Sequence, residues 1–142
     1  MKLTVHRCLK RPGLIIRAKT YFLELNTRGL YIIALGNAAM LPVSGNPVKQ
    51  AVGDAAFRHF DAKYEKQISA NEQRVQLGQL DELASEKYSY FLRKDEVREF
   101  KVSAFYDSVC VKIKGGKANI TLYAHPQYKD VIGEMARVLG EM

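Results

Sequence analysis

The stretch Tyr21-Phe22-Leu23-Glu24-Leu25-Asn26-Thr27-Arg28-Gly29-Leu30-Tyr31-Ile32-Ile33-Ala34-Leu35 decides the fold class. In an extended chain Phe22 and Glu24 lie on one face and Tyr21, Leu23 and Leu25 on the other. Asn26-Thr27-Arg28-Gly29 carries turn chemistry, because Asn and Gly tolerate positive φ. Leu30 to Leu35 then reads as the returning strand of a β-hairpin.

Working outward, Leu14-Ile15-Ile16 opens the extended segment that leads into the hairpin, and Lys2 to Leu9 reads as an earlier strand ended by Arg11-Pro12-Gly13. Downstream, Gly36 to Gly45 is a small-residue loop. Asn46-Pro47 has the form of a helix start. Val48, Ala51, Val52, Ala55, Phe60, Tyr64 and Ile68 follow near one helical stripe, with Lys49, Arg58, Glu65 and Lys66 facing water. That helix is expected to reach about Asn71. Ser69-Ala70-Asn71-Glu72 has capping-box spacing, which allows a break and restart there. Gln79 to Glu86 reads as a second, short helix.

Strand character returns at Tyr88 to Leu92, Val97 to Val102 and Val109 to Ile113, the last alternating with Val109, Val111 and Ile113 on one face. Gly115-Gly116 is a two-residue hairpin signal, since both central positions are open to positive φ. Ile120, Leu122 and Tyr123 belong to the returning strand. Pro126 opens a final helix with an apolar stripe of Tyr128, Val131, Ile132, Met135, Val138 and Leu139. The order is about three strands, a helical insertion, about four strands and a terminal helix. This is an α+β pattern, expected as an antiparallel β-barrel or two packed sheets of about seven strands with a C-terminal capping helix. The 142 residues fit one domain, and no repeat or linker divides them.

The net charge is +7. Residues 1–31 hold seven basic side chains against one acidic, whereas residues 32–84 hold five against six and residues 85–142 ten against eight. The excess is therefore N-terminal, which suits contact with an anionic surface or partner. No apolar run approaches the ~20 residues of a membrane span, and the N-terminus lacks the apolar core of a signal peptide. A cytoplasmic location is the expectation, at the membrane periphery if the basic strands meet lipid.

Chemistry-bearing constellations do not converge. His6, His59 and His125 fall on different elements, and no metal-ligand spacing links them to Cys8 or Cys110, so no metal or cofactor is expected. Both cysteines read as packing thiols. There is no nucleophile elbow and no phosphate-cradling glycine loop. Asp81-Glu82 sits at a helix start, where the dipole favours acids, and Asp95-Glu96 lies between strands. Nothing marks an enzyme. Arg17 and Lys19, two apart, project from one face of a strand, with Lys10 and Arg11 in the preceding loop.

Three stretches resemble the pleckstrin-homology-like fold in its bacterial versions. Tyr21 to Tyr31 looks like the family's pattern of an apolar run followed by Thr-Asp-x-Arg-Leu-Tyr, with Asn26-Thr27 in place of Thr-Asp and Gly29 inserted before Leu30. Asp95 to Val102 resembles the strand that opens the second sheet, and Ala118 to Leu139 the last strand and C-terminal helix. The resemblance covers about 100 of the 142 residues, and leaves 47–86 as a helical insertion between strands 3 and 4. It implies a scaffold that hosts lipid binding, peptide binding or assembly. Lys10, Arg17 and Lys19 resemble the family's phosphoinositide pattern. Two functions follow as expectations. One is a non-catalytic interaction or assembly module, with a protein partner or a second copy, acting through an exposed sheet edge or the inserted helices. The other is binding of an anionic headgroup or another polyanion through Lys10, Arg11, Arg17 and Lys19. Only charge favours nucleic acid.

Overall fold

The computed structural model describes residues 1–10, 18–37 and 62–140. Its strands are β1 (Lys2–Lys10), β2 (Lys19–Asn26), β3 (Leu30–Asn37), β4 (Tyr90–Leu92), β5 (Val97–Phe105), β6 (Ser108–Gly115) and β7 (Ala118–Ala124). Helices α1 (Ala62–Gln76) and α2 (Leu80–Ala84) lie between β3 and β4 in chain order, and α3 (Lys129–Val138) ends the described chain. The strands form one antiparallel sheet in the order β4-β3-β2-β1-β7-β6-β5. It is neither a closed barrel nor two separate sheets. One four-strand meander and one three-strand meander are joined where β1 meets β7, at Leu9 opposite Tyr123.

The β2–β3 hairpin forms as its residue types require. Leu25 pairs with Leu30, and the Asn26 amide donates to the Gly29 carbonyl at 3.0 Å. The Asn26 side chain accepts from the Arg28 amide at 2.8 Å. Gly29 has φ +152°, and a Cβ there would run into the Leu92 carbonyl oxygen. The second hairpin differs by one residue from the expected arrangement. Gly115 pairs with Ala118, so Gly116 and Lys117 make the turn. Gly116 has φ +51° at the first central position, the requirement of a type II′ turn. Gly115 is needed for closeness instead, since a Cβ there would overlap the Glu96 carbonyl oxygen.

One core takes inward-facing side chains from all seven strands, among them Val5, Leu23, Leu25, Ile32, Leu92, Phe100, Val111, Ile113 and Leu122. A flat sheet of this width would span about 29 Å at the usual strand spacing, so a shared core requires strong curling. Leu92 of β4 comes within 3.1 Å of the Cβ position of Gly116 in the β6–β7 turn, which shows how far the end strand β4 curls toward the second meander. Ile132 and Met135 of α3 join this core with no exposed surface. The amphipathic stripe read from Tyr128 to Leu139 packs on it as expected.

A second core lies on the outer face of the first hairpin. Phe22, Tyr31, Ile33 and Leu35 are covered there by Ile68 of α1 and Leu83 of α2. A fully buried Ile or Leu contributes about 1.5–3 kcal/mol, so these helices pack on their own sheet for a physical reason. The start expected at Asn46-Pro47 lies outside the described residues. The break allowed at Ser69 does not occur, and α1 continues past Asn71 to Gln76, because Ile68, Glu72 and Val75 keep facing the sheet.

Glu65, expected to face water, is instead tied to β1. A bulge sets His6 and Arg7 against the single residue Phe22, and Arg7 takes φ +52°. Its guanidinium then donates to both Glu65 oxygens at 2.8 and 2.7 Å, and to both Glu72 oxygens at 3.1 and 2.8 Å. The two carboxylates stand two turns apart on α1 with Ile68 between them. Hydrogen bonds from Arg7 hold the Glu65 carboxyl below its ordinary pKa. A depressed carboxyl contributes stability above its unfolded pKa and loses it as pH falls through the folded value. Arg7→Gln is therefore expected to cost about 2 kcal/mol at neutral pH. The gap to the wild type should narrow as pH drops below about 4. Urea unfolding of both proteins across that range checks this, and a pH-independent gap would refute the pairing as its source.

Candidate functional site

The described acids, thiols and imidazoles are mostly taken up by structure. Asp81 accepts from the Tyr31 hydroxyl at 2.7 Å and from Arg28 at 2.8 Å, and these bonds hold its carboxyl below the usual range. The same contact, after burial, pushes Tyr31 up to about 12. Glu96 accepts from the Arg93 amide at 2.9 Å and closes a capping box. Cys8 and Cys110 are free thiols, and burial pushes Cys8 up to about 12, far from a reactive thiolate. His125 accepts from the Gln127 amide at 3.1 Å as an N-cap. His6 packs against the Phe22 ring at 5.2 Å. Among the described residues no three His, Cys, Asp or Glu side chains gather as a metal site, and no helix is long and apolar enough to cross a membrane.

Of the four basic residues singled out for anion binding, the structure describes two. Lys10 and Lys19 stand directly opposite each other in β1 and β2, so their side chains leave the same face. Arg11 and Arg17 lie outside the described residues. Lys19 borders a cleft of about 310 Å³ with Asn37, Gln67, Asn71, Lys87 and Tyr88. Its ammonium donates to Asn37 Oδ1 at 3.0 Å and lies 4.2 Å from the Tyr88 ring centroid. Lys87 approaches the same ring at 4.9 Å. Tyr88 takes φ +71° and its carbonyl accepts from the Tyr21 hydroxyl at 2.9 Å. Lys87 and Tyr88 were missed as site residues, since a Lys-Tyr pair ahead of a short strand carries no motif.

The other candidate is the β5 edge of the sheet, which no further strand covers among the described residues. The two end strands differ greatly: β4 has three residues and β5 nine. On the inner face of β5, Phe100 is buried, while Val102 is 37 % exposed and Ala104 is also exposed. On the outer face, Lys101 is directly opposite Lys112 of β6. Neither lysine has an ion-pair partner among the described residues. Glu99, nearby, lies 3.8 Å from the Lys114 ammonium, and its buried Oε2 makes no hydrogen bond. Phe105 packs at 4.8 Å on Tyr106 and 5.4 Å on Tyr123. The edge of β5 is thus a long, partly apolar strand whose outer face, with that of β6, carries Lys101, Lys112 and Lys114 against the single acid Glu99.

Compared with known proteins, no family model, curated protein or solved structure matches the chain.

The left-handed backbone at Tyr88 yields a direct check on the cleft. An L-residue in that region carries about 1–2 kcal/mol of steric cost, from which glycine is exempt. Tyr88→Gly is expected to be more stable than Tyr88→Ala by about 1 kcal/mol, although glycine lowers stability at most positions. Thermal unfolding of the two variants decides, and an equal or lower midpoint for the glycine variant would rule out that backbone conformation.

Proposed function

We propose that this chain is a non-catalytic interaction module of pleckstrin-homology-like architecture, and that β5 is its docking edge. The observation that carries this reading is the nine-residue β5 at the end of the sheet, which pairs with β6 on one side and with no strand on the other among the described residues. Such an edge offers a row of backbone donors and acceptors to an incoming extended segment, and natural sheets usually shorten or block edges of this kind. The two meanders joined through β1 and β7, with a C-terminal helix against the inner core, support the likeness in architecture. The engagement of Asp81, Glu96 and Cys8 in structural contacts supports a role without catalysis.

Neighbouring proline substitutions test the edge. Along an edge strand successive amides point alternately to the neighbour strand and outward. Of Val102→Pro and Ser103→Pro, one should break the β5–β6 ladder and the other should leave the fold intact while blocking the edge. Random linear peptides panned on the wild type should enrich binders that the folded proline variant no longer retains. Binders held equally by both, or no enrichment at all, would rule out β5 as the docking edge.

A second reading has its own observation, the direct pairing of Lys10 with Lys19 beside Lys87 and Tyr88. We propose on that basis that Lys10, Arg11, Arg17 and Lys19 meet an anionic lipid headgroup. Vesicles containing phosphatidylserine should sediment the wild type in a salt-sensitive way and leave the quadruple charge-reversed variant in solution. Equal sedimentation of the two proteins, or of neither, would dismiss it.

A further inference from the structure

We infer that the segment received by β5 is acidic: an extended peptide in which Asp or Glu alternates with small apolar residues. This rests on the docking-edge reading and specifies its ligand. An added strand must share the alternation of the sheet, so every second side chain falls on the outer face in line with Lys101, and the others fall beside Val102 and Ala104. On the outer face the row already runs Lys112–Lys101, two like charges directly opposite each other. Like charges in that position are destabilising, and an opposite charge there is stabilising. A carboxylate next in the row relieves the repulsion, whereas a third ammonium extends it. Glu99 does not serve, because its Oε2 is buried, 3.8 Å from Lys114 and without a hydrogen bond. Arg98, exposed at the start of the strand, adds to the same positive edge. On the inner face Val102 and Ala104 are exposed rims of the main core, continuing the row of Phe100. Small apolar side chains extend that core without a polar group to desolvate.

A second copy of β5 fits this edge less well. A two-fold antiparallel pairing keeps each face continuous only when the axis passes through a residue. An axis at Lys101 sets Lys101 against itself, and one at Val102 sets it against Ser103. Glu99 meets Lys101 only with the axis at Phe100, which draws on a carboxylate whose Oε2 is buried 3.8 Å from Lys114. A separate acidic segment satisfies both faces without that conflict.

The test uses three blocked peptides of about seven residues, a usual strand length, with valine alternating with Glu, Gln or Lys. Each is titrated into the isotopically labelled full chain and followed by amide chemical shifts. The Val/Glu peptide should shift amides from Phe100 to Phe105 and bind about tenfold more tightly than the Val/Lys peptide at low salt, equivalent to 1.4 kcal/mol. Lys101→Glu should reverse that order while leaving the spectrum of the free protein dispersed. If all three peptides shift β5 equally, or Lys101→Glu leaves the order unchanged, the acidic preference is overturned and the docking edge stands. If no peptide shifts β5, or the shifts gather at Lys10, Lys19 and Tyr88, the docking edge itself is overturned.

Discussion

Every side chain from Thr20 to Leu25 is buried, although successive residues of a strand point to opposite faces. A strand apolar on both sides needs two covers, and the rest of the molecule supplies them. Tyr21, Leu23 and Leu25 are covered by the sheet curling onto itself and by α3. Phe22 is covered by α1 and α2. Glu24 is the exception in kind. Its buried carboxylate accepts from Asn26 at 2.7 Å and lies 3.8 Å from the Lys2 ammonium, which satisfies the rule that buried charge is partnered.

The outer cover is not held by apolar contact alone. Arg7 reaches α1 because the β1 bulge turns its side chain out of the sheet alternation, at the expense of a left-handed backbone. Two carboxylates on one guanidinium repay that strain with geometry that a lysine could not match. At the opposite end, Asp81 binds Tyr31 and Arg28 and so fastens α2 to the first hairpin. The helical layer is therefore pinned at both ends by charge-assisted hydrogen bonds, with Ile68 and Leu83 between them.

What was legible in the sequence was local. The first hairpin, the amphipathic C-terminal helix and the alternation of Val109, Val111 and Ile113 follow from periodicity and turn chemistry within a few residues. The sheet order was not legible, because Leu9 meets Tyr123 across more than a hundred residues and no local pattern encodes that pairing. The bulge at Arg7 was invisible for a related reason: no glycine marks it, and its partners lie on a distant helix. The capping-box signal at Ser69 lost to the longer-range demand that Glu72 and Val75 continue the face begun by Ile68. The anion-site reading named Lys10 and Lys19, which strand pairing sets opposite each other. It missed Tyr88 and Lys87, which reach Lys19 only through the fold. The β5 edge was legible only as an expectation that some edge would exist, since β5 and β6 alternate alike and only topology places β5 last.

The two basic surfaces differ in what a ligand would gain there. The Lys19 ammonium already has an amide oxygen and an aromatic face, so an anion entering that cleft must compete with contacts the protein makes for itself. Lys101 and Lys112 have each other as neighbours, and β5 has no strand on its outer side among the described residues. A carboxylate arriving on an extended chain would replace repulsion with attraction and satisfy backbone groups in one step. The balance of existing against missing contacts thus favours the edge over the cleft, even though the sequence concentrates positive charge at the cleft's end of the chain.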